Sequence, residues 1–200
     1  MAEREGRSEY GNVDLVGDET VKQVAVAAVL AALTAALAQV SIPLPGLPAP
    51  ISFQLFGVYF AGLLLGARWG GFSVALYLLV GAAGAPVFSN GSGGLGVLLG
   101  PTGGYLFGYL LAAVVIGLVV HRGLETRSLT QVPVWLQAGA LLLGLAIIYA
   151  LGVPWLAETT SYSLEKSIQI GMVIFVPGDL LKIAATIGVV RAGLFDAVAA

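Results

Sequence analysis

Six apolar runs follow one another in this chain with almost no ionised residue inside them. They extend from about Val21 to Val40, Phe53 to Gly66, Trp69 to Ala83, Gly104 to Val120, Val132 to Leu151 and Ile168 to Val190. Roughly 20 apolar residues cross a bilayer as a helix. In hydrocarbon every backbone N–H and C=O needs a partner within the protein, which leaves helix as the conformation for runs like these. The second run is short for a full crossing. The chain is 58% hydrophobic and 10% charged, against about 25% charged in soluble domains. These features predict an all-α integral membrane protein: six transmembrane helices in one compact bundle.

Helix-breaking residues separate the runs. Asp18-Glu19-Thr20 supplies cap and first-turn residues for the first helix. Ser41-Ile42-Pro43-Leu44-Pro45-Gly46-Leu47-Pro48-Ala49-Pro50 cannot continue that helix. A Gly-rich loop spans Gly84 to Gly103, and a polar excursion with Trp155 and Tyr162 spans Pro154 to Lys166. Residues 1–20 read as a disordered acidic leader, 21–192 as the membrane domain and 193–200 as a short tail. The first apolar segment follows a polar leader, so no cleavable signal is expected.

Positive charge sets the orientation. Alternating sides assigns Arg4, Arg7, Lys22, Arg68, Arg122, Arg127 and Arg191 to one side and only Lys166 to the other. Cytoplasmic loops collect Lys and Arg, so both termini are predicted to be cytoplasmic in a multi-pass cell-membrane protein. The Pro-rich turn, the Gly-rich loop and the 154–166 excursion then share the outer side. A net charge of −2 offers no basic surface for nucleic acid. With no cysteine and one histidine, neither a metal site nor a cofactor is expected. His121, beside Arg122 at a helix end, reads as a solvated histidine.

Against this apolar background Asp179 and Lys182 stand out, inside Pro177-Gly178-Asp179-Leu180-Leu181-Lys182. An ionised group near the middle of a crossing costs at least about 2.5–3.5 kcal/mol on insertion scales. Three residues apart, the two side chains share a helix face. They form either a polar ligand site facing the bundle interior or a self-contained ion pair that pins helix packing. The ligand site is the favoured reading, because intramembrane charges mark functional positions.

The outer loop holds seven glycines between Gly91 and Gly104. Its amides are expected to be free to hold an anion such as a carboxylate. No Lys-Ser or Lys-Thr follows the last glycine, so it is not a nucleotide loop. Gln54, Ser89, Asn90, Thr102 and Tyr105 add neutral hydrogen-bonding groups around it, although Gln54 also fits simple interfacial solvation. Phe53, Phe56, Tyr77 and Phe88 are either apolar walls of a cavity or ordinary lipid- and core-facing residues. On the first helix Ala28, Ala32 and Ala36, with Ala27, Ala31 and Ala35 beside them, form a small-residue face that admits another helix closely. That face serves either packing within the bundle or docking onto another protein.

These stretches resemble the BioY family, the biotin-specific substrate-binding (S) components of energy-coupling-factor transporters. The resemblance rests on Ala31-Ala32-Leu33-Thr34-Ala35, Ile42-Pro43-Leu44-Pro45, Phe53-Gln54, Ala61-Gly62-Leu63-Leu64-Leu65-Gly66 and Tyr77-Leu78-Leu79-Val80-Gly81. Its most specific part is Gly93-Gly94-Leu95-Gly96-Val97-Leu98-Leu99-Gly100-Pro101-Thr102-Gly103-Gly104-Tyr105, and Pro177 to Lys182 closes the set. It covers residues 21–192. It implies a six-helix S-component fold that binds biotin near its outer face, with Asp179 and Lys182 bonded to the ligand. It also implies a transmembrane T component docked on the first helix, at Ala28, Ala31, Ala32, Ala35 and Ala36, and two partner ATPases. The expected ligand-binding set is Asp179, Lys182, Gln54, Ser89, Asn90, Gly94, Thr102, Tyr105 and Tyr77. Asp179 suits the ureido N–H groups of biotin and Lys182 its carbonyl, with the carboxylate at the Gly-rich loop; the reverse placement, carboxylate on Lys182, stays open. The alternatives are a small membrane enzyme, for which the chain lacks a nucleophile elbow or a second intramembrane carboxylate, and a gradient-driven carrier.

Overall fold

The computed structural model describes residues 17–193. Helix α1 (Asp18–Gln39) leads into a short antiparallel ribbon of β1 (Ser41–Ile42) and β2 (Ile51–Ser52), with Ser41 opposite Ser52. Helix α2 (Gln54–Ala82) follows. It contains a reversal at Gly66, whose φ of 69° and ψ of −169° belong to a region open essentially only to glycine. A straight helix would hold Gln54 and Tyr77 about 35 Å apart, at 1.5 Å per residue. Instead the Gln54 Nε2 donates to Tyr77 Oη at 2.7 Å. The chain therefore doubles back at Gly66 into two antiparallel limbs. Among the described residues, five helices are long and apolar enough to cross a membrane. With the second folded on itself, they give the six segments expected.

The remaining helices are α3 (Leu95–Leu99), α4 (Gly103–His121), α5 (Val134–Thr160), α6 (Leu164–Ile168) and α7 (Val176–Arg191). A π turn over Gln169–Val173 joins α6 to α7, so that Leu164–Arg191 acts as one span. α4 lies between α2 and α5; α1 packs on α2, and α7 packs on both α2 and α5.

Three boundaries differ from expectation. α1 already begins at Asp18, so the last residues assigned to the leader are helical, with Gly17 at the cap position; residues 1–16 and 194–200 lie outside the described residues. α5 runs straight through Pro154 to Thr160, which shrinks the polar excursion to a turn near Ser161. A proline inside a membrane helix is tolerated where neighbouring groups take over the freed carbonyl. The Gly-rich loop is also more ordered than a plain loop. It holds a single helical turn at Ser89–Gly91, a Phe88–Ser92 bridge and α3.

The reversal at Gly66 is seated on α4. A Cβ at Gly117 would collide with the backbone of Gly66 and Ala67, so only glycine lets α4 approach that closely. The break deprives Leu63 of its normal helical donor, and His121 supplies one. His121 is 2% exposed; its Nε2–H donates to the Leu63 carbonyl at 2.8 Å while Nδ1 accepts from the Arg127 amide at 2.9 Å. The expectation of a solvated histidine is thus wrong. The freed carbonyl needs a buried partner, and His121 is that partner.

Two ends emerge. At one, Gln39 of α1 donates to the carbonyl of Phe88, and Trp155 of α5 to that of Gly100, which gathers the ribbon, the Gly-rich loop and the 161–163 turn. At the other, Gly66 lies beside His121 and Thr126, and Arg191 donates to the Thr130 carbonyl at 3.5 Å. Arg68, Arg122, Arg127 and Arg191 therefore share one end, as the charge partition requires.

Candidate functional site

At the end that carries the ribbon and the Gly-rich loop, a cavity of about 190 Å³ opens between α2, α4, α5 and α7. That is more than ten times the roughly 10–15 Å³ a cavity needs to hold one water, so the cavity suits a small organic molecule rather than an ion. A π turn leads the last span into the wall. Gly171, Phe175, Asp179 and Lys182 all line the cavity, at spacings that keep them on one helix face. π turns recur at functional sites because they re-phase a helix in this way. Tyr105 fixes the turn by donating to the Gly171 carbonyl at 2.9 Å.

Asp179 and Lys182 are 7% and 9% exposed. Lys182 Nζ donates to Asp179 Oδ1 at 2.8 Å, and Tyr149 Oη donates to Asp179 Oδ2 at 2.5 Å. The two residues are bonded to each other, and both line the cavity. Lys182 keeps two further N–H donors for a guest. Each carboxylate oxygen keeps a lone pair.

The opposite wall is a directed chain of hydrogen bonds. Tyr77 Oη donates to the Val87 carbonyl at 3.1 Å, Gln54 Nε2 donates to Tyr77, and Ser89 Oγ donates to Gln54 Oε1 at 3.0 Å. Gln54 is 3% exposed, so interfacial solvation does not describe it. Asn90 sits at φ 60°, ψ 27°, with Oδ1 accepting from Ser41 Oγ at 2.9 Å. Tyr105, Tyr109, Tyr149, Phe88 and Phe175 supply aromatic surface, together with Pro48, Ala49 and Pro50 from the turn. A largely apolar pocket with a few placed polar groups is the usual form of a small-molecule site.

Of the residues singled out from sequence, Asp179, Lys182, Gln54, Ser89, Asn90, Thr102 and Tyr105 line this cavity. Tyr77 stands behind Gln54, 2% exposed, and supports the wall without forming it. Gly94 does not line it either; its amide donates to the Gly81 carbonyl at 2.7 Å and anchors the loop to α2. Several of the loop amides expected to be free are engaged in the same way. The amides of Phe88, Asn90, Ser92, Gly94, Val97 and Gly100 are bonded within the protein. Phe53 and Phe56 do not line the cavity, whereas Phe88 does. Tyr109 and Tyr149 were missed. Both are tyrosines within apolar runs, away from the membrane surface where such residues usually sit. On α1, Ala32 and Ala36 are exposed and Ala28 and Ala35 half-buried, but Ala31 is 7% exposed. It packs inward, so it cannot belong to an external docking face.

Comparison with known proteins gives a consistent answer. The model of the BioY family matches residues 9–198. The biotin transporter BioY of Thermotoga maritima is 42% identical over 163 residues, covering 82% of this chain and 90% of that protein. The biotin transporter BioY of Rhodobacter capsulatus is 42% identical over 177 residues, covering 82% and 89%. The crystal structure of the S-component for biotin from an ECF-type ABC transporter superposes with a TM-score of 0.78 at 30% identity, covering 88% of this chain and 93% of that one. A match over nearly the whole chain, in sequence and in fold, around a cavity shaped for a small molecule, leaves one assignment: this chain belongs to the BioY family.

Proposed function

We propose that this chain is a membrane transport subunit, not an enzyme, that captures biotin at the outer face of the cell membrane and releases it inward. The observation that carries this reading is the placement of Asp179 and Lys182, buried in a membrane span yet facing a cavity. The names and structure of the relatives support biotin as the ligand.

Biotin's ureido ring has two N–H donors and a carbonyl acceptor. In this reading Asp179 accepts from the ring and Lys182 donates to its carbonyl. Tyr149 holds Asp179 in place for that task. The aromatic wall covers the thioether ring and the valeryl chain. The carboxylate lies at the loop end, against Ser89, Asn90 and Thr102. The clustering of Arg68, Arg122, Arg127 and Arg191 at the far end supports cytoplasmic termini. The exposed Ala32 and Ala36, with Ala28 and Ala35 at their edge, offer a helix-docking face for a transmembrane T component. Two ATPases on the cytoplasmic side would supply the energy. The test is equilibrium binding of labelled biotin to the purified protein at submicromolar concentration. Saturable binding is expected; no binding overturns the reading.

A further inference from the structure

We propose that Ser41, which stands outside the cavity wall, is a positioning residue that makes the site recognise a carboxylate rather than a neutral amide. The inference rests on the biotin reading and deepens it, by naming the group that is recognised at the loop end.

Ser41 and Asn90 form a closed pair. Ser41 Oγ donates to Asn90 Oδ1 at 2.9 Å and accepts from the Asn90 backbone N–H at 3.2 Å. A hydroxyl has one hydrogen, and here it is spent on Oδ1. Asn90 holds a left-handed backbone, φ 60° and ψ 27°, a conformation that asparagine tolerates better than most residues. Oδ1 is held by Ser41, and Asn90, which lines the cavity, keeps its two Nδ2–H donors.

Two neighbouring groups are already engaged. Ser89 gives its hydrogen to Gln54 Oε1, and Gln54 gives its Nε2–H to Tyr77. Ser41 itself is held in place by pairing with Ser52 across the ribbon, and Ser52 Oγ accepts the Gln54 amide at 3.1 Å. The ribbon and the wall are thus one construction, and Asn90 is its donor facing the ligand. Two N–H donors match a carboxylate, which only accepts. A carboxamide offers a neutral oxygen to the same donors, and a fixed donor is worth less to it than to a charged carboxylate. Released from Ser41, the Asn90 amide is free to turn over and serve either group.

Dissociation constants for biotin and for biotinamide, its neutral carboxamide, test this in the wild type, Ser41→Ala, Ser41→Thr, Asn90→Ala and the double variant. Ser41→Ala is expected to weaken biotin about tenfold, the scale of one hydrogen bond to a charged group, and biotinamide by less than about threefold. Ser41→Thr keeps the hydroxyl and keeps the preference. In the Asn90→Ala background, Ser41→Ala is expected to change neither affinity by more than about twofold, because its effect runs through Asn90. Should Ser41→Ala not fold, Ser41→Cys, with its weaker donor, is expected to give an intermediate preference. Equal losses for both ligands, or a Ser41 effect that persists without Asn90, would overturn the proposal. A wild type that binds neither ligand overturns the biotin reading itself, whereas biotin binding with an unchanged preference in Ser41→Ala overturns only the role of Ser41.

Discussion

The Asp179–Lys182 pair separates binding from stability, because the two respond differently to removing one charge or both. Removing one partner of a buried pair costs about 3–5 kcal/mol, since the other charge stays desolvated and unpaired; replacing both with apolar residues of similar size is often neutral or stabilising. The structure refines this range. In Lys182→Met, Asp179 keeps its Tyr149 donor at 2.5 Å, so the loss is expected at the lower end, about 3 kcal/mol. In Asp179→Leu, the Lys182 ammonium loses its carboxylate partner at 2.8 Å, so the loss is expected at the upper end, about 5 kcal/mol. The double variant should recover most of the larger loss, left about 1–3 kcal/mol below wild type by the Tyr149 hydroxyl stranded without its acceptor. Biotin binding should not return: two charged hydrogen bonds are gone, which weakens affinity by at least about a hundredfold. Denaturant titration in detergent micelles reads the first quantity and equilibrium dialysis of labelled biotin the second. A double variant as unstable as Asp179→Leu alone would make the pair a packing device. One that binds biotin like the wild type would remove the pair from the site.

Three further outcomes are expected. Gly66→Ala forces a non-glycine residue into φ 69°, ψ −169°, with its Cβ 3.1 Å from Thr126 Cγ2; a loss of about 1–3 kcal/mol should appear in the same titration. His121→Ala strands the Leu63 carbonyl and the Arg127 amide, and should also cost about 1–3 kcal/mol, while biotin affinity in the folded fraction stays unchanged. Tyr149→Phe removes the second donor to Asp179 without changing shape; biotin affinity should fall at least about tenfold by dialysis.

The six-segment bundle was legible because hydrocarbon leaves an apolar chain few conformations. What was misjudged were places where the protein, rather than lipid or water, satisfies the backbone. Pro154 reads as a helix end by the rule that holds in water, yet α5 passes through it to Thr160. His121 reads as solvated because a histidine beside an arginine at a helix end usually is. Only the reversal at Gly66 creates the buried carbonyl that explains it, and that contact joins residues 58 positions apart. Nothing local to His121 carries the signal.

Part of the cavity lining was legible because charge is costly in a membrane. A charge inside a membrane span costs too much to be incidental, so Asp179 and Lys182 declare themselves. A hydroxyl on a tyrosine costs far less to bury, and Tyr149 therefore stayed hidden, although its bond to Asp179 is the shortest in the cavity wall. Its position was the usable clue. Tyrosines normally gather at the membrane surface, where the ring meets lipid and the hydroxyl meets water. Tyr149 lies well inside α5 and is 8% exposed. A hydroxyl at that depth needs a partner from another helix, and the costliest acceptor nearby in the span is the one that gains most from supplying it. A mid-span tyrosine in one apolar run and an intramembrane carboxylate in another are thus a pair that a sequence itself marks, as Tyr149 and Asp179 are here.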